Sequence, residues 1–263
     1  MGASGQWSLN SIIRPLWNLL KPLRLVLRRN PRLRLAWARF LGRRSTAVWN
    51  SMLKPGMVVI DLGANAGYYT FFASHQVKAA GKVYAFEPFP AAFDTLKAEA
   101  ARSKHQNIVP MQLAASDRPG KHHMFVMPGH DPSNSLHPVP GLAEDRSVTV
   151  EAVRVDDVVD APRVDVVKID VEGHELHAMR GMERILAANK DVKLFIEFNP
   201  CTLAAAGALP GDFFGFLDGH GFKLYAIDDR TGKLNRADTA AKLVGLLPRD
   251  GVTNVLAQRE AGG

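Results

Sequence analysis

Val58-Val59-Ile60-Asp61-Leu62-Gly63-Ala64-Asn65-Ala66-Gly67 is the stretch that decides the fold of this chain. An apolar, β-branched run ends in a carboxylate. An Asp-x-Gly-x-x-x-Gly turn follows, and Tyr68 to about Gln76 reads as a helix. Gly63 and Gly67 lack a Cβ, so the backbone can turn sharply and a ligand can come close. The helix N-terminus behind the turn offers free N–H groups and the positive end of a dipole. Strand, glycine turn and helix in this order predict the nucleotide-binding turn of a doubly wound α/β sheet.

The spacing discriminates between ligands. The dinucleotide fingerprint has three glycines, as G-x-G-x-x-G. Here Asn65 stands in the middle position, and a pyrophosphate loses its glycine approach. Asp61 ends the strand with a negative charge that repels a pyrophosphate and suits a cation. S-adenosylmethionine (SAM) carries one in its methionine ammonium. Val83-Tyr84-Ala85-Phe86-Glu87-Pro88 reads as a second strand, and Glu87 lies twenty residues past Gly67, where an acceptor for ribose hydroxyls is expected. A glycine turn that binds nothing does not require both acids in this order.

Composition bounds the remainder. The 263 residues are 46% apolar, ample for the core of one large α/β domain. With one cysteine, Cys201, neither a disulfide framework nor a zinc ligand set can be built, which points to a reducing compartment. His174-Glu175-Leu176-His177 is not the H-E-x-x-H zinc pattern. Charge is unevenly spread. Residues 1–60 hold eleven Lys or Arg and no acid, while the remaining 22 basic and 26 acidic side chains balance to −4. The organisation expected is a basic N-terminal arm over 1–50 and a catalytic domain over 51–260.

Within the arm, leucines, isoleucines, Trp7 and Trp17 alternate with arginines and are broken by Pro15, Pro22 and Pro31. No run has the length of a membrane span or the form of a signal peptide. An acid-free, Arg-rich start also resembles a mitochondrial transit peptide. Leu33, Trp37, Phe40 and Leu41 recur on one helical face. The arm therefore suits either packing on the domain or contact with an anionic membrane surface, and the chain is placed in the cytoplasm, peripheral on the inner face of a membrane at most. Nucleic acid is the weaker partner, since the body has no basic, aromatic-rich stretch that would stack bases.

Beyond Asp61 strand and helix alternate. Pro90–Ser103 reads as a helix, Ile108–Leu113 as a third strand leading into Ala114-Ala115-Ser116-Asp117, and Lys121–Val126 and Val148–Val155 as an added hairpin. The loop Pro128–Asp145 between them, with Asn134-Ser135-Leu136, is long enough to suggest a function. Val164-Asp165-Val166-Val167-Lys168-Ile169-Asp170 is a buried parallel strand ending in Asp170-Val171-Glu172-Gly173-His174-Glu175, followed by helix to about Ala188. Val192–Phe198 is a fifth strand, Pro210–His220 a helix and Phe222–Ile227 a strand. A turn at Asp228–Gly232 precedes the last strand, Val252–Ala257.

Five segments in this order, Asp61–Gly67, Phe86-Glu87-Pro88, Ala114–Asp117, Lys168–Glu175 and Ile196-Glu197-Phe198, resemble the FkbM family of SAM-dependent methyltransferases. The resemblance covers about Lys54 to Ala257 and leaves the arm aside. It implies a class I methyltransferase fold: a Rossmann-like, doubly wound sheet of seven strands, mostly parallel, with an antiparallel last strand. It also implies SAM as methyl donor and O-methylation of a hydroxyl on a sugar, glycolipid or other metabolite. The cofactor set expected is Asp61, Gly63, Asn65 and Gly67 at the methionine end, Glu87 on the ribose, Phe89 beside the adenine, and Ala115 and Ser116 at its edge. Asp170, Glu172 and His174 are candidate bases, and Lys168 is expected to pair with an acid. No metal is assigned, although Asp170, Glu197 and Asn199 form an oxygen set that would suit Mg²⁺. The rival functions are a dehydrogenase, an RNA methyltransferase using the arm, and a non-catalytic membrane-associated module.

Overall fold

The computed structural model describes residues 44–126, 134–137, 147–249 and 251–260. The chain divides into two compact units, Met1–Arg43 and Arg44–Gly263. The first lies outside the described residues, and with it the helical face of Leu33, Trp37, Phe40 and Leu41. Most of the Pro128–Asp145 loop is outside them too.

The second unit opens on α1 (Arg44–Met52). This helix runs across the boundary expected at residue 50 and buries Trp49 completely against Tyr69 and Phe195. Then follow β1 (Val58–Leu62), α2 (Tyr68–Val77), β2 (Lys82–Phe86), α3 (Pro90–Ala100) and β3 (Ile108–Met111). An inserted group of strands comes next: β4 (Ala114–Ala115), β5 (Gly120–Phe125) and β6 (Ser147–Val153). After it stand α4 (Val155–Val158), β7 (Val166–Ile169), α5 (Glu175–Arg180), α6 (Glu183–Ala188) and β8 (Lys193–Phe198). The chain ends with α7 (Pro200–Ala205), α8 (Pro210–Gly219), β9 (Lys223–Ile227), β10 (Leu234–Ala237), α9 (Ala240–Gly245) and β11 (Thr253–Gln258).

The main sheet has the order β10-β9-β11-β8-β7-β1-β2-β3. Its β3, β2, β1, β7 and β8 run parallel, and β11 is antiparallel between β8 and β9. This is the doubly wound class I methyltransferase arrangement. Alternate residues of the strands feed two cores, because successive side chains point to opposite faces. Ile60, Leu62, Val167, Ile169, Leu194 and Ile196 belong to one cluster, and Val59, Val166, Phe195 and Leu256 to the other. A strand apolar on both faces is what a sheet covered on both sides requires.

The structure corrects the sequence expectation in three places. The sheet has eight strands, not seven, because the Asp228–Gly232 turn leads first into an edge strand, β10, paired antiparallel with β9. This edge strand is four residues long, Leu-Asn-Arg-Ala, too short for a period to be read. Ala114–Ala115 leaves the main sheet and joins the inserted one, ordered β4-β6-β5. The single helix expected after Glu175 is broken into α5 and α6 at Gly181. That glycine lies so close to the Ser116 carbonyl that a Cβ would stand 2.3 Å from its oxygen.

Candidate active site

The carboxyl ends of β1, β2, β7 and β8 bring the sequence-predicted acids to one edge. Asp61 and Lys168 are register partners on β1 and β7, so their side chains leave the same face of the sheet. Both are buried, at 0% and 3% exposure. Lys168 Nζ lies 3.5 Å from Asp61 Oδ1 and donates to Asp170 Oδ2 at 3.1 Å. It also stands 5.0 Å above the Tyr69 ring, a cation–π distance. Burial alone would lower the lysine pKa, but the two carboxylates overcome this and raise it above its ordinary value. Burial likewise pushes the Tyr69 phenol up to about 12.

Two carboxylates share one ammonium, which leaves one net negative charge at this end of the site. Thr70, in the first turn of α2, donates to Asp61 Oδ2 at 2.6 Å. Asp61 Oδ1 is buried and makes no hydrogen bond among the described residues. A cationic ligand fits both facts.

The glycine turn shapes the same edge. Gly63 and Gly67 have φ of +77° and +90°, conformations that favour glycine. What Gly63 makes room for is protein: a Cβ there would lie 1.8 Å from the Asp170 carbonyl oxygen, so the glycine lets the β1 and β7 tips touch. A Cβ on Gly67 would meet the Phe71 ring at 2.3 Å. Asn65 also has a positive φ, +50°, and its backbone N–H donates to Glu87 Oε2 at 2.7 Å. Phe89 N donates to the other oxygen, Oε1, at 2.9 Å. Glu87 is 6% exposed, and burial raises its pKa to about 7 despite these two donors. A buried carboxylate at the tip of β2 suits hydroxyl donors of a ligand. Phe89 heads α3 and packs against the inserted sheet, beside the cluster of Ala114, Met124, Val150 and Ala152. Ala115 and Ser116 are buried at the end of β4.

The turn after β7 carries the remaining candidates. Asp170, Glu172 and Glu197 can bring carboxylate oxygens within 4.8 Å of one another. Asn199, grouped with Asp170 and Glu197 from the sequence, is committed elsewhere. Its Oδ1 accepts from Cys201 N and Thr202 N and caps α7, so Glu172 takes its place in the acidic group. Glu175 holds the turn from below: Oε1 accepts from Val171 N at 3.2 Å and Gly173 N at 3.1 Å. Its burial raises its pKa to about 7.

His174 does not stand with the acids. It is 3% exposed, with Nε2 3.0 Å from Ser116 Oγ and Nδ1 2.8 Å from His137 Nε2. Burial and the neighbouring His177 ring push its pKa down to about 2. Both ring nitrogens are engaged, so as a base it would first have to break one of these bonds. His177 stacks on it at 4.5 Å between centroids and pairs with Asp117 at 2.8 Å. Thr70 and His137 are site residues that the sequence reading passed over, and Glu175 is one it quoted among the acids without a role. Thr70 and Glu175 sit at helix starts beside known motifs, whereas nothing local marks His137.

A family model for the methyltransferase FkbM domain matches residues 61–224. The chain is 31% identical over 216 residues to the 31-O-demethyl-FK506 methyltransferase FkbM of Streptomyces tacrolimicus, covering 67% of this chain and 76% of that protein. It is 31% identical over 132 residues to the hexuronic acid methyltransferase AglP of Haloferax volcanii, 49% of this chain and 51% of the relative, so the match spans about half of AglP. A SAM-dependent methyltransferase of Aquifex aeolicus superimposes over 81% of this chain and 88% of that one at 15% identity, with a TM-score of 0.46.

The fold is that of a class I methyltransferase, with S-adenosylmethionine as cofactor. More narrowly, the chain belongs to the FkbM methyltransferase family.

Lys168 is the buried cation that two carboxylates share, so its removal is costly. Lys168→Met is expected to destabilise the protein by roughly 3–5 kcal/mol, the range for breaking a buried ion pair. Adding Asp61→Asn should recover part of that loss by removing the stranded charge. Denaturant midpoints of the two variants check this, and a double variant no more stable than Lys168→Met would contradict it.

Proposed function

We propose that this chain methylates a hydroxyl of a sugar, a glycolipid or a related metabolite. The carrying observation is the acidic group of Asp170, Glu172 and Glu197, joined to the Asp61 end of the site through Lys168. Bound SAM supplies an electrophilic methyl carried by a sulfonium. A hydroxyl attacking it must lose its proton, and a carboxylate within hydrogen-bond reach can take that proton. Asp170 is the base in this reading: Lys168 fixes its Oδ2, and no described donor occupies Oδ1. Glu172 orients the acceptor, and alignment with the methyl contributes the rest. One relative is named for a hexuronic acid and the other for a 31-O-demethylated metabolite, which supports an oxygen acceptor.

Asp61, Gly63, Asn65 and Gly67 would hold the methionine end of SAM, Glu87 the ribose hydroxyls, and Phe89, Ala115 and Ser116 the adenine. Glu87 gives this a pH signature. Its pKa stands near 7, above its unfolded value, and ribose hydroxyls donate more strongly to the ionised form, in which both oxygens accept. SAM affinity should therefore hold above pH 7 and weaken as pH falls below it, by no more than about tenfold per pH unit. Glu87→Gln should bind more weakly at high pH and flatten the profile. Calorimetric titration over the range checks it, and a wild-type affinity independent of pH would remove Glu87 from the ribose site.

The chemistry has its own test. Asp170→Asn is expected to lower turnover by ~10²-fold or more with SAM affinity kept. Transfer is followed from labelled SAM into glycan, lipid and RNA extracts, and ether-linked label in the first two is expected. Label confined to RNA would favour the RNA reading. If instead a chelator abolishes turnover, Asp170, Glu172 and Glu197 hold a divalent ion, and the hydroxyl is activated through it.

The acceptor class bears on the basic arm. Arg44 N and Ser45 N both donate to Asp229, each at 3.3 Å, and Asp229 follows β9 at the carboxyl edge of the sheet. The eleven basic residues of 1–60, with no acid among them, suit an anionic lipid surface, each contributing on the order of 1 kcal/mol. No helix among the described residues is long and apolar enough to cross a membrane. The full chain should sediment with vesicles of phosphatidylcholine and phosphatidylglycerol, not with phosphatidylcholine alone. Changing Arg28, Arg29, Arg32 and Arg34 to Gln should release it. Equal sedimentation of both proteins would reject the lipid role.

A further inference from the structure

The insertion between β5 and β6 reaches back to the acid-bearing turn through four described residues, Asn134–His137. On one side this segment belongs to its own hairpin. Phe125 N donates to Ser135 O at 2.7 Å, Ser135 N to Phe125 O at 3.2 Å, and Leu136 packs with Met124 and Phe89. On the other side it grips the turn after β7 at two points. Ser135 Oγ lies 2.8 Å from the Glu172 carbonyl and accepts from His137 N at 3.2 Å. A carbonyl only accepts, so the single hydroxyl proton goes to Glu172. The second point is the 2.8 Å bond between His137 Nε2 and His174 Nδ1.

Both points act on strained or buried groups. Glu172 has φ of +53°, a left-handed conformation that a side-chain-bearing residue adopts only when its surroundings hold it there. That backbone presents the Glu172 carbonyl to Ser135. The Glu172 side chain belongs to a group of three acids that repel one another, so electrostatics alone would spread them. His174 passes the second grip on to Ser116, whose Oγ is itself fixed by accepting from Arg118 N at 3.1 Å. The inserted sheet, the end of β4 and the turn after β7 thus meet at one buried ring.

We propose that Ser135 and His137 are positioning residues that set the spacing of Asp170, Glu172 and Glu197, acting through the Glu172 carbonyl and the His174 ring. The clasp rests on the reading of these acids as the acceptor-activating group. It gives the insertion a role in the reaction: the acids at the strand tips are held in place from the inserted hairpin. The N–H···N bond needs one donor and one acceptor nitrogen, so the clasp holds while at least one of the two rings is neutral. Around the rings stand His177 on α5, His122 on β5, and Asp117 and Arg118 on the turn between β4 and β5. The histidines and Arg118 oppose uptake of a proton, and Asp117 is already paired with His177.

The test uses the full chain with Ser135→Ala, His137→Phe and the conservative His137→Gln, whose amide can donate to His174. Three quantities are measured: SAM affinity by calorimetry, amide hydrogen exchange over residues 170–175, and turnover of labelled SAM on glycan extract. The first two variants should speed exchange in that turn by about tenfold and lower kcat by about tenfold, with SAM affinity within about twofold. His137→Gln should restore both. Unchanged exchange, or faster exchange with unchanged kcat, overturns the proposal and leaves the methyltransferase reading standing. Parallel loss of SAM binding, kcat and melting temperature overturns it as well, since the residues would then be merely structural. If wild-type protein transfers no methyl, the functional reading fails first. Exchange then decides the clasp alone: acceleration confined to 170–175 and reversed by His137→Gln supports it, and anything else overturns it.

Discussion

A single buried ammonium organises this site. Lys168 stands between Asp61 and Asp170, almost without access to water, and holds the fully buried Asp61 and the half-buried Asp170 to one cation. The pairing is dictated by the sheet. Asp61 and Lys168 face each other in the β1–β7 register, and the side chains of register partners leave the same face. One cation for two carboxylates is an incomplete balance, and that residue of negative charge is what a cationic ligand completes. Stability and ligand choice thus rest on the same three side chains.

The glycine turn performs a related service. Gly63 brings the tips of β1 and β7 into contact, which places the Asp170 backbone against the nucleotide turn. Asn65 turns its N–H toward Glu87, tying β1 to β2. The cofactor edge and the acidic turn are therefore parts of one backbone assembly, in which each tip fixes the next. A rigid arrangement of this kind suits a displacement reaction, whose rate depends on the alignment of two groups.

The inserted three-stranded sheet is the other element that gives this chain its own character. Its strands pack against Phe89, and Ala115 belongs to its short β4. Its described loop residues reach the turn after β7. The stacked rings of His174 and His177 fill the junction, where burial keeps His174 neutral.

The sequence by itself determined the glycine turn, the acids that end β1 and follow β2, the run of strands and helices around them and the acids after Ile169. These features are local: a β-branched run, a glycine spacing and a carboxylate at a strand end are readable within ten residues. It also determined the charge asymmetry of the arm. Tertiary structure alone decided how those acids are used. Asn199 looks like a ligand in sequence and is spent on a helix cap, because the following Pro200 starts a helix whose free N–H groups need an acceptor. His174 looks like a base and is drawn into a buried network by His137 and Ser116, distant in sequence by 37 and 58 positions. Such partnerships depend on where loops return in space, and no periodicity or propensity in the chain encodes that.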